Sequence, residues 1–162
     1  MVETKRQEES AVRKMVWYLI LIIGALMIPS EKTDIGDMKP VELVQLERNS
    51  DRVVIRTDMK DEGEGQDTAE ALENLKRTSD GIIYLDTADY LLVDMDAAAD
   101  AVELAGVLKA SSRVCWAEKK IDPEKATAFL RIHQPQTQFK DWNTENREEI
   151  LRTAGEKLVL EK

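Results

Sequence analysis

Five carboxylates fall within residues 58–67, at Asp58, Asp61, Glu62, Glu64 and Asp67. Clustered carboxylate oxygens are what a hard cation such as calcium binds. The spacing does not complete a calcium loop. Counted from Asp58, Gly63 falls at the sixth position of an EF-hand frame, but Lys60 falls at the third and Ala69 at the twelfth, where a bidentate Glu is required. The stretch therefore reads as a solvated, mobile loop, and no metal site is expected. Gly63 and Gly65, ahead of a helical pattern, would also suit a phosphate cradle, but the surrounding negative charge argues against one.

Leu85-Asp86-Thr87-Ala88 matches the hydrophobic-Asp-Thr-Gly/Ala pattern around the reactive carboxylate of aspartic peptidases. That chemistry needs two carboxylates sharing a proton at about 3 Å, and the chain carries one copy of the pattern. A homodimer would have to supply the second, so the simpler role for Asp86 is in a cap or turn between elements, with a membrane-tethered aspartic-type hydrolase using Asp86 as the alternative function. His133 is the single histidine. A multi-histidine metal site is thereby excluded, and a catalytic triad would have to draw on Ser111 or Ser112, neither of which lies in a nucleophile-elbow sequence. At the end of a helical pattern, His133 reads as a surface residue or a C-terminal cation. Cys115, the single cysteine, sits in the apolar stretch Arg113-Val114-Cys115-Trp116-Ala117 and reads as a buried thiol in a core strand. Trp116 and Trp142 read as core aromatics, with a partner-facing position as the alternative. No catalytic, cofactor-binding or metal-ligating residue is assigned, and the chain is not expected to be an enzyme.

The most hydrophobic segment opens at Met15 and closes at Ile28 (MVWYLILIIGALMI). As a helix it would rise roughly 21 Å against a hydrocarbon core of roughly 30 Å. Snorkelling of Arg13 and Lys14, with Trp17 and Tyr18 at headgroup level, extends that reach, so residues 15–29 read as a transmembrane signal anchor. Basic residues ahead of the run and Glu31, Asp34 and Asp37 behind it place residues 1–14 in the cytoplasm and the remainder across the membrane. Two alternatives stay open: cleavage near Ser30, which would release a secreted soluble binding domain, and a buried core helix.

Residues 30–40 read as a polar tether ending at Pro40, and residues 41–162 as one extracytoplasmic domain. The chain has a net charge of −9, and residues 1–29 hold four basic and three acidic groups, which leaves −10 on the remainder. Nucleic acid is an unsuitable partner for such a surface, and another membrane or envelope protein is the expected one. Residues 41–47 and 52–57 read as a hairpin with a four-residue turn at 48–51. A helix from Asp67 or Thr68 to Thr78 follows, then apolar runs at 82–85 and 90–93, read as two strands or one interrupted element. An alanine-rich helix is predicted from Asp94 through Leu108, a strand at 114–117, and a helix opened by Asp122-Pro123-Glu124 with Ala126, Phe129, Leu130 and Ile132 on its buried face. Residues 143–154 look helical, with Leu158-Val159-Leu160 as a last strand or a continuation. The fold class is α/β: an N-terminal membrane-anchor helix followed by one small mixed sheet covered by helices.

On residues 41–130 the chain resembles the N-terminal domain of the C subunit of bacterial spore germinant receptors. The places that carry the resemblance are the strand at 53–57, Gly63 and Gly65, the helix Thr68-Ala69-Glu70-Ala71-Leu72-Glu73-Asn74-Leu75, the strand-helix unit from Ile82, and residues 113–118. That family is lipid-anchored through a cysteine and continues into further domains, whereas the one cysteine here, Cys115, lies far from the end of the apolar run. The resemblance implies a stand-alone, membrane-anchored relative of that domain, serving assembly or signalling in germination.

Overall fold

The computed structural model describes residues 15–18, 38–118, 120–145 and 147–162. Chain contacts separate a unit ending at Asp34 from a second unit, Ile35–Lys162. In the first, residues 15–18 are helical and exposed. The rest of the anchor segment, the cleavage point near Ser30 and the tether up to residue 37 lie outside the described residues. Among the described residues no helix is long and apolar enough to cross a membrane.

The second unit is α/β. Its strands are β1 (Met38–Pro40), β2 (Leu43–Asn49), β3 (Arg52–Thr57), β4 (Glu62–Gly65), β5 (Ile82–Tyr84), β6 (Tyr90–Asp94), β7 (Arg113–Ala117), β8 (Ile150–Ala154) and β9 (Lys157–Glu161). Three α-helices stand between them: α1 (Thr68–Thr78), α2 (Ala98–Glu103) and α3 (Pro123–Leu130). Seven strands form one mixed sheet in the order β4-β3-β2-β6-β7-β8-β9, while β1 and β5 make a separate parallel pair. Strands β2, β6, β7 and β8 run parallel, and antiparallel β3 and β4 on one side and β9 on the other extend them.

Parallel strands are covered on both faces and so read as continuous apolar runs. Leu91, Leu92 and Val93 on β6, and Val114, Cys115, Trp116 and Ala117 on β7, are all buried. Alternation sends Val44, Leu46, Leu91, Val93, Val114 and Trp116 to one face, where Ala71 and Leu75 of α1 and Ala101 of α2 cover them. Leu43, Leu92, Cys115, Ala117 and Leu151 face the other way, toward Ala126 and Leu130 of α3.

Both longer helices start as their sequences predict. The Asp67 carboxylate accepts from Glu70 N–H (2.8 Å) while Glu70 accepts from Gln66 N–H (2.7 Å), and the Asp122 carboxylate accepts from Glu124 N–H with Pro123 in the first turn. Such caps stabilise a helix by about 1 kcal/mol. On α3, Ile132 is 77% exposed instead of core-facing, because the helix ends at Leu130. The alanine-rich helix is broken into α2 between two 3-10 turns, Met95–Ala97 and Leu104–Gly106, with Ala97, Ala101, Leu104 and Leu108 still on the buried side.

Four expectations are corrected. Residues 38–40, read as tether, form β1 beside β5. The hairpin turn has two residues, Ser50 and Asp51, with Ser50 in the left-handed region (φ 58°). Residues 150–154, read as helix, are β8, paired with β7 and turned at Gly155 (φ 65°) into β9. Residues 62–65 are a strand and not a mobile loop. Their alternation turns Gly63 and Gly65 toward α1, so close that an added Cβ would sit 2.2 Å from Ala71 O at Gly63 and 2.4 Å from Ala71 N at Gly65.

Gly63→Ala and Gly65→Ala are each expected to destabilise the domain by at least the roughly 1–3 kcal/mol of an overpacked core. Gly106→Ala, with nothing within 4 Å of its added Cβ, should be neutral or stabilising by up to about 1 kcal/mol. Urea denaturation of the three variants measures the contrast.

Candidate functional site

A cleft of about 420 Å³ opens between the β3–β4 turn and the start of α3. Arg56, Lys60 and Lys120 bring positive charge to it, and Asp58, Asp61, Glu62, Asp122 and Glu124 negative charge. The sequence singled out Asp58, Glu62 and Asp122 for other reasons, but did not indicate that residues 57–62 and 120–124 share one opening. Only the pairing of β3 with β4 and the placement of α3 against β2 and β3 bring them together.

Four of the five carboxylates there are engaged, while Asp61 meets Lys39 Nζ at 3.4 Å through Oδ1 and its buried Oδ2 has no hydrogen-bond partner among the described residues. Asp58 accepts from the backbone N–H groups of Glu42 (3.1 Å) and Leu43 (3.2 Å), fastening the turn to the entry of β2. Partial burial raises its pKa above the ordinary value of 3.8, against the lowering effect of those bonds. Glu62 accepts from Arg56 Nε (2.5 Å), and Arg56 also pairs with Glu47, which is buried on β2 and accepts from Gln45 Nε2 (2.7 Å). Desolvation works against the Arg56 charge, yet its bonds to Glu62 and Glu47 hold its pKa above the ordinary range. Asp122 caps α3, and Glu124 meets Lys60 Nζ at 3.2 Å near the cleft mouth. Lys60 has φ 68°, a left-handed conformation uncommon for a side-chain-bearing residue. The arrangement offers hydrogen bonds and charges of both signs to a polar ligand or peptide, and four of its five carboxylates are held by cations, backbone donors and a helix cap.

Three of the five acidic residues of 58–67, Asp58, Asp61 and Glu62, line the cleft, but the five do not converge on one point. Asp58 faces β2, Asp61 lies 3.4 Å from Lys39 Nζ, Glu62 and Glu64 lie on the sheet face opposite α1, and Asp67 caps α1. Among the described residues no group of three or more His, Cys, Asp or Glu is arranged to hold a metal ion.

The other sequence candidates are dispersed. Asp86 is exposed in a 3-10 turn, Leu85–Thr87, whose Thr87 hydroxyl accepts from Val41 N–H (3.1 Å). Ser112 is buried and donates to Ala88 O (2.7 Å), while His133 is exposed and stacks on Phe129, ring centroids 4.4 Å apart. Cys115 is a free thiol, fully enclosed, its pKa pushed far up by burial and by Glu149. Trp116 packs in the core 5.3 Å from the ring of Trp142, with the Arg147 guanidinium 5.4 Å from its own ring.

No protein-family model matches the chain, and neither does any curated protein or any solved structure.

Asp58→Ala strands two backbone donors and should lose about 1–3 kcal/mol of stability. Asp58→Asn keeps an acceptor and sheds a charge that burial disfavours, so at pH 7 it should be at least as stable as the parent. The raised pKa sets the sign for Asp58 itself: the folded state binds this proton more tightly than the unfolded chain. Its penalty is present above the raised pKa and disappears as pH falls through it toward 3.8. The Asn variant should lack that increment in denaturant titrations across this range. Cys115 should resist iodoacetamide in the native protein and react once urea unfolds it.

Proposed function

We propose that this chain is a membrane-anchored, non-catalytic protein whose extracytoplasmic α/β domain binds another membrane or envelope protein. One observation carries the proposal: the apolar run from Met15 to Ile28, with Arg13 and Lys14 ahead of it and acidic residues behind. The second unit supports it by containing its own two-sided core, the build of a domain that can be presented at the end of an anchor. Its cleft supports binding over turnover, because Asp58, Glu62 and Asp122 are engaged in bonds that hold the fold. The resemblance to the N-terminal domain of germinant receptor C subunits suggests the setting, assembly or signalling in spore germination, with a basic protein surface as the complement to an acidic domain.

In cells producing a C-terminally tagged full-length chain, the protein is expected in the membrane fraction, resistant to carbonate extraction, open to external protease and intact at its N-terminus. A soluble cytoplasmic chain would overturn the anchor, and a mature N-terminus near residue 30 would replace it with a secreted domain. Asp86→Asn should leave partner recovery after mild crosslinking unchanged; loss of a peptidase activity in that variant would revive the hydrolase alternative.

A further inference from the structure

We propose that β9 is a self-recognition edge, through which two copies of this chain pair antiparallel about Val159 and join their sheets into one. The two edges of the seven-stranded sheet differ. On β4 the carbonyls of Glu62 and Glu64 accept from Thr78 Oγ1 (3.0 Å) and Asn74 Nδ2 (2.6 Å) of α1, so helix side chains close that edge. β9 ends the strand order on the other side, and among the described residues no strand or side chain pairs with its outer flank. Lys157, Val159 and Glu161 are exposed along it, while Leu158 and Leu160 are partly buried against the core.

The turn decides which backbone groups are free. Ala154 pairs with Lys157 across the two residues Gly155 and Glu156, and the pair that closes such a turn exchanges both of its main-chain bonds. Alternation directs the N–H and C=O groups of Lys157, Val159 and Glu161 to β8, and those of Leu158 and Leu160 out of the sheet. An antiparallel second copy aligned on Val159 sets its Leu160 opposite Leu158, so each donates to and accepts from the other. The same alignment sets Lys157 opposite Glu161 of the second copy, and Glu161 opposite its Lys157. The neighbouring alignments that still pair the free groups put one of these charges opposite Val159 and lose both ion pairs. Arg152 Nη1, 2.9 Å from Glu161, already draws that carboxylate over the strand. The contact is isologous, as a two-fold dimer requires. It is also short, and each copy carries −9, so the association belongs to the weak, reversible class.

The test uses the full-length chain in mild detergent, oxidised with copper phenanthroline, with Val159→Cys and Lys157→Cys made separately. Cys115 is buried, and the parent chain controls for it. In the proposed pairing the two Val159 Cα atoms stand about 4.5 Å apart, within disulfide range. The two Lys157 Cα atoms are displaced by four residues, about 14 Å, and cannot be bridged. Val159→Cys is expected to give a disulfide-linked dimer on a non-reducing gel and Lys157→Cys to remain monomeric; both sites are exposed, so neither change threatens the fold. Equal crosslinking at the two positions would indicate random collision and overturn the proposal. Crosslinking at Lys157→Cys alone would overturn the register. Absence of crosslinks at both would overturn self-pairing and leave the edge to a strand of another protein.

Discussion

The domain depends on the contact between β4 and the backbone of α1. A helix normally approaches a sheet at the distance its side chains set; here Gly63 and Gly65 remove that spacer, and the strand lies directly against Ala71 and Leu75. Two consequences follow from this seat. Ala71 and Leu75 are buried over one face of the sheet, and Asn74 and Thr78 reach the edge carbonyls of β4. The chain then leaves α1 toward β5 and enters β6, which lies parallel to β2 in the middle of the sheet. The antiparallel opening is thus joined to the parallel core by a helix whose position two glycines define.

Carboxylates do much of the remaining organisation, in keeping with an acidic chain that carries a single cysteine. Asp100 on α2 holds Arg48 at the end of β2 in a two-bond pair at 2.8 and 2.6 Å. Glu42 does the same with Arg131 just past α3, at 2.8 and 2.6 Å. Buried Glu149 accepts from the N–H groups of Gln136 and Thr137 (2.7 and 2.9 Å), and Thr137 in turn accepts from Val114 N–H (2.9 Å). That relay fixes the irregular passage from α3 to β8, which has little regular hydrogen bonding of its own. A charge-assisted bond to a backbone donor is stronger than a neutral one, which suits a segment that must be held without a ladder.

Elements with a local cause were legible in the sequence. Asp67, Asp122 and Pro123 announce helix starts because a cap needs only its own first turn. The runs at 91–93 and 114–117 announce central strands because burial on both faces suppresses alternation. The stretch at 62–65 was misread because glycine and glutamate have low intrinsic strand preference, and its strand character comes from β3 on one flank and α1 above it. Residues 143–154 were misread for the opposite reason. Their composition favours helix, and β7 imposes an extended path on Ile150 and Leu151 by accepting them into the sheet. The cleft could not be read at all, since its two walls are some sixty residues apart in the chain.

From the sequence alone came the apolar run and its charge asymmetry, the α/β class, the caps of α1 and α3, and a single cysteine destined for the interior. These are properties of composition and of neighbours within one turn or one strand. Strand order, the glycine contact under α1, the pairing of Lys60 with Glu124 and the difference between a closed β4 edge and an open β9 edge were decided by tertiary structure. Each joins residues distant along the chain, and the free energy that selects among such pairings resides in packing and main-chain hydrogen bonds that no local pattern encodes.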